Sequence, residues 1–151
     1  VAKSFDYTVI IGLDKFGQVC FFDRFQSDWR MTTQKILLLP QVPIIIDATG
    51  VGNPIAEDLQ RQRDHVEAFV FTQKSKQLLM ETLAFAVQKR EVTFPDGIIR
   101  DEMDSFEFTY TRTGVSYSAP EGMHDDCVCA LALAKKIHTS ALAMSDGPNI
   151  W

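Results

Sequence analysis

His124-Asp125-Asp126 opens a stretch that is then apolar from Cys127 to Ala134. One carboxylate at a helix start is explained by capping, because it accepts backbone N–H bonds and suits the positive end of the dipole. A second, adjacent one is not. A further carboxylate, Asp47, follows directly on Ile44-Ile45-Ile46, where a buried strand would end. Carboxylates are hard oxygen donors, the kind that Mg²⁺ and similar cations require. A strand-end Asp and a helix-start pair could hold two such ions roughly 3.5–4 Å apart, the spacing of in-line phosphoryl displacement. Without cations the same groups would repel one another. Each also has a plainer reading. Asp47 could be a turn residue bonding the backbone of residues 48–50. Asp125 and Asp126, about 100° apart on a helix, cannot both point squarely at one place. One of them could cap the helix, orient His124 or reach a second ion from the side. His124 is expected to support a ligand rather than to be one.

Other reactive residues form weaker patterns. Lys74 and Lys76 follow an apolar strand at the start of a helix, a suitable place to meet phosphates; solvated charges at an element boundary are the plainer alternative. The turn ATGVG, residues 48–52, lacks the third glycine of a dinucleotide fingerprint and the Lys-Ser/Thr of a P-loop. Its glycines are explained by a sharp strand-to-helix turn. Cys20, Cys127 and Cys129 are odd in number and lack zinc spacing. Within an apolar helix, cysteine behaves as a small hydrophobe, and a reducing compartment fits. His65 and His138 have no constellation around them. The net charge of -5 argues mildly against nucleic acid, unless a locally acidic site recruits cations.

The elements that must position these groups read as α/β. With 151 residues, 46% hydrophobic and 23% charged, the chain is expected to be a single domain over 1–151 with a real core. No apolar run reaches the length of a membrane span, and no signal peptide is visible. Two β-rich runs, 7–13 and 18–25, flank a polar loop and predict an antiparallel hairpin. A helix follows, capped by Ser27 or Asp28 and stopped by Pro40. A strand over 44–46 leads into a helix with Asn53 as cap and Pro54 at its first position. VEAFVFT predicts another strand, and the two strands with their connecting helix form a parallel crossover. An amphipathic helix is expected from Ser75. Beyond Pro95 the pattern is unclear until a hairpin, with Phe106, Phe108 and Tyr110 alternating and a turn at Thr113-Gly114. The last helix starts near His124, and its tail is expected to loosen from about residue 139. The fold class is α/β with a mixed sheet flanked by helices.

Taken in order, DYTVIIGLD, IIIDATGVGNPIAEDL, FTQKSKQLLMETLAFAV, FPD and YSAPEGMHDDCVCALALA resemble the nuclease domain of the large terminase subunits of tailed bacteriophages. The likeness runs from Ala2 to about Lys136, and DATGVG paired with HDD is its specific part. The resemblance implies an RNase H-like fold and a Mg²⁺- or Mn²⁺-dependent endonuclease that cuts concatemeric double-stranded DNA with two ions. It implies metal ligation and catalysis by Asp47, Asp126 and Asp125, with Asp126 the first choice as direct ligand. It further implies a parent chain with an ATPase motor domain, absent here, and partners in a small terminase subunit and a portal. No membrane is involved, and the setting is the host cytoplasm during virus assembly. The family pattern also calls for an earlier strand bearing the first acidic ligand. Val1-Ala2-Lys3 resembles the tail of that segment, which places the Asp immediately before Val1. Asp6 is the nearest substitute, while Asp14 falls on the wrong side of a turn. Other readings are a junction-resolvase type of RNase H-like nuclease, a silent DNA-binding or motor-docking module, and a nucleotide-binding domain using ATGVG.

Overall fold

The computed structural model describes residues 7–50, 52–111, 114–119 and 124–144. The chain opens with strands β1 (Thr8–Leu13) and β2 (Val19–Phe25), paired antiparallel from Thr8 opposite Phe25. The hairpin turns at Gly17, whose φ of 79° lies in the left-handed region. A Cβ at Gly17 would drive into the carbonyl oxygen of Glu91, so glycine is required there by backbone approach as well as by φ. Thr93 locks this contact, donating to Gly17 O and accepting from Val19 N.

Helix α1 (Trp29–Leu37) is capped by Asp28, which accepts from Met31 N. Strand β3 (Ile44–Asp47), helix α2 (Gly52–Gln62) and strand β4 (Val66–Phe69) form the crossover, with β3 and β4 parallel and Asp47 opposite Phe69. Helix α2 begins just ahead of the predicted cap Asn53. Arg63, buried at its end, donates to the carbonyls of Ile36, Leu39, Pro40 and Val42. One planar guanidinium thereby fixes the whole α1–β3 connection.

Helix α3 (Gln73–Gln88) starts two residues before the expected Ser75, because Thr72 and Ser75 form a reciprocal capping box. Helix α4 (Ile98–Ser105) stands where the sequence pattern was unclear. Strands β5 (Glu107–Thr111) and β6 (Gly114–Ser118) pair antiparallel, and the predicted turn residue Gly114 belongs to β6. Helix α5 (Asp126–Met144) continues past residue 139, where loosening was expected; the rest of that tail lies outside the described residues.

Among the described residues, the expected mixed sheet takes the form of three two-stranded ladders: β1–β2, β3–β4 and β5–β6. Helix α5 packs on β1, β3, α3 and α4, and α3 packs on β6, so the two helices together join the ladders. Its Cys127, Val128, Leu131 and Ala132 are almost fully buried with Leu13, Leu79, Met80, Leu83 and Ile99. The apolar run after His124-Asp125-Asp126 is thus part of the core, and close packing holds the start of α5 in place. Among the described residues no helix is long and apolar enough to cross a membrane.

Candidate active site

The carboxyl end of β3 and the start of α5 open onto one cavity of about 760 Å³. Its walls include Asp47, Thr49, Phe71, Lys76, Asp125 and Asp126. Residues separated by most of the chain therefore share one surface, at the strand ends where α/β folds place their ligands.

Asp47 is exposed at the last position of β3. Its Oδ1 accepts from Thr49 N at 2.8 Å, the turn bond of the plainer reading, and this bond fixes the side chain at the cavity wall. Thr49 Oγ1 accepts from Phe71 N at 2.8 Å, and Ala48 N donates to Phe69 O. The turn carrying Asp47 is thus tied across to the end of β4. Gly50, with φ of 62°, then reverses the chain toward α2.

Asp125 precedes α5, its carbonyl accepting from Cys129 N, and its Oδ2 lies 3.2 Å from Lys76 Nζ, with the two side chains 29% and 26% exposed. Asp126 Oδ2 lies 3.7 Å from His124 Nδ1. The His124 ring meets Tyr7 edge-on at 5.5 Å, and the Arg24 guanidinium covers Tyr7 at 3.5 Å. His124 thus stands beside Asp126. The two lysines part company: Lys74 is exposed, whereas Lys76 enters the acidic cavity.

Glu102 was missed by sequence reasoning. This buried residue of α4 accepts from Cys127 N at 3.0 Å, so an N–H of the first turn of α5 is satisfied from another helix. The spacing of Ile99 and Met103 in DGIIRDEMD was the available signal for a short helix there. It did not reveal Glu102's partner.

The electrostatics of Cys129 register the convergence. Burial pushes its thiol up to about 12; Asp125 adds to this, Lys76 opposes it, and Asp126 and Asp47 add further. All three carboxylates and the ammonium therefore act on one sulfur atom. Burial and Glu102 likewise push up the Cys127 thiol. Both cysteines stay protonated at neutral pH and are packing groups, not thiolate ligands.

The donor chemistry fits a hard divalent cation, since three carboxylates face one cavity and an ammonium already sits on one of them as a stand-in cation. The donor number is short. Among the described residues, no three His, Cys, Asp or Glu side chains are grouped closely enough to cage a metal by themselves. Asp6 lies outside the described residues.

An α/β domain with one carboxylate at a strand end and two more where its core helix begins is the class that these observations define. No protein-family model matches the chain. It is 30% identical over 141 residues to the large terminase subunits of Thermus virus P23-45 and Thermus phage G20c, across 87% of this chain and 29% of each relative. It therefore spans less than a third of those relatives. The large terminase nuclease of thermophilic phage G20c, in crystal structures with bound cobalt and with bound magnesium, superposes with a TM-score of 0.73. Sequence identities are 27% and 25%; each match covers 87% of this chain, and 81% and 82% of the respective structures. The chain is homologous to the nuclease domain of phage large terminase subunits, and its fold is RNase H-like.

Proposed function

We propose that this chain is the metal-dependent endonuclease domain of a viral DNA-packaging terminase, cutting concatemeric double-stranded DNA. The observation that carries the reading is the shared cavity: Asp47 comes to it from β3, and Asp125 and Asp126 come from just before and at the start of α5. The related G20c nuclease has been crystallised with magnesium and with cobalt, which supports divalent-ion use here.

Asp47, Asp126 and Asp125 would hold two Mg²⁺ or Mn²⁺ ions. When bound, such ions supply an activated water and neutralise charge on the leaving 3′ oxygen. The rest falls to the chain's own side chains. The Thr49 N–H fixes the Asp47 carboxylate. His124 orients Asp126. Lys74, exposed at the start of α3, meets backbone phosphates. A further carboxylate completes the set, as the family resemblance expects, from a strand at the side of the cavity. There the wall is formed by Tyr7 and β1 and by Pro43 and β3. Among the described residues these two strands pair only with β2 and β4, so each has an unpaired edge. In a complete terminase the partners are the ATPase domain, the small subunit and the portal, acting in the host cell during assembly.

Supercoiled plasmid with Mn²⁺ or Mg²⁺ tests the reading. Nicking is expected, and Asp47→Asn or Asp126→Asn should reduce it by at least about 100-fold, the scale on which metal-site carboxylates act. Unchanged cleavage in both variants contradicts the assignment. One observation favours a second reading, a silent DNA-binding or motor-docking module: no three described donors form a cage. That module binds DNA without nicking it under any divalent ion.

A further inference from the structure

Lys76 is in an unfavourable place for a lysine. It stands in the fourth position of α3, a helix whose first turn contains no acidic residue, where the positive end of the dipole repels an ammonium. The helix does not need it, because Thr72 and Ser75 already cap the start. Its side chain crosses to another element and lies 3.2 Å from Asp125 Oδ2. The pair is about three-quarters shielded from solvent, inside the cavity that Asp47 and Asp126 also line.

We infer that Lys76 is a positioning residue, a built-in cation that holds Asp125 in the cation-free protein and competes with the divalent ion for it. The inference rests on the proposed metal-binding role of the acidic cavity. Clustered carboxylates repel one another, and the ammonium neutralises one of them without any bound ion, so the start of α5 stays packed. A divalent cation arriving at Asp125 meets the positive charge of Lys76. Seating the ion therefore requires the ammonium to leave Asp125. Once released it is still in the cavity, where a phosphate of the substrate is its natural partner. Lys76 thus links occupation of the site by cations to readiness for an anionic substrate, whereas exposed Lys74 has no such coupling.

The test is Mn²⁺ titration by calorimetry without DNA, using the wild type, Lys76→Met and Lys76→Arg. Removing the competing charge should tighten Mn²⁺ binding about five-fold, the scale of one part-shielded ion pair, while Lys76→Arg stays close to wild type. Lys76→Met should also melt lower without metal and gain more from Mn²⁺ than wild type does. If Lys76→Met does not fold, the wild type decides alone. A Lys76 ammonium NMR signal, protected by its bond to Asp125, should be lost or shifted as Mg²⁺ saturates the site. Unchanged or weaker Mn²⁺ binding by folded Lys76→Met, or an ammonium signal indifferent to Mg²⁺, overturns the inference and leaves the metal site standing. Absence of Mn²⁺ binding by the wild type overturns both.

Discussion

At the scale of single residues, the doubled charge before α5 is a division of labour. Asp125 turns to Lys76, Asp126 lies beside His124, and the Cys127 N–H is accepted by Glu102 from α4. Glu102→Ala should therefore cost about 1–3 kcal/mol, the penalty for orphaning a buried backbone donor. Glu102→Gln, which keeps an acceptor, should cost much less; urea denaturation of the two variants checks the ordering. The three aspartates could be singled out in the sequence because each sits where a hydrophobic run begins or ends. Their partners could not. Lys76 finds Asp125 across 49 positions, and nothing local to either residue encodes that meeting.

At the scale of elements, the site depends on how β3 and α5 are held. Four carbonyls of the α1–β3 connection converge on Arg63, so this side chain sets where β3 begins and hence where Asp47 ends. Arg63→Met should destabilise the protein by roughly 3 kcal/mol or more, because it strands several buried acceptors at once. The urea midpoint measures the loss. Most elements could be read locally: period-2 runs for β1 and β2, an Asp cap for α1, and an apolar run leading to Asp47 for β3. Helix α4 could not. It is 8 residues long and follows Pro95-Asp96-Gly97, and only Ile99 and Met103 mark its inner face. The far end of α5 was hard to read for a related reason. Its small and polar residues past Thr139 resemble a tail, but Ala141 still faces the cavity wall, and the helix continues.

At the scale of the whole molecule, α5 runs from the acidic site to the turn between β1 and β2. His138, only 5% exposed, sits near Asp14 and Lys15 at that turn. Burial and Lys135 hold its pKa below the ordinary 6.5, against opposing contributions from the backbone of Asp14 and Lys15 and the charge of Asp14. The unfolded chain therefore takes up a proton at a pH where the folded one does not. Stability should be full above about pH 6.5 and fall as pH drops toward the depressed value. His138→Leu should flatten this part of the pH dependence, read as urea midpoints compared between about pH 5 and pH 8. Beneath all of this is one spatial claim, that the β3 and α5 carboxylates share cations. Anomalous diffraction from Mn²⁺-soaked crystals measures it directly. The account predicts a peak in contact with both Asp47 and Asp126, lost in Asp47→Asn; Mn²⁺ bound only elsewhere, or unaffected by that substitution, would contradict it.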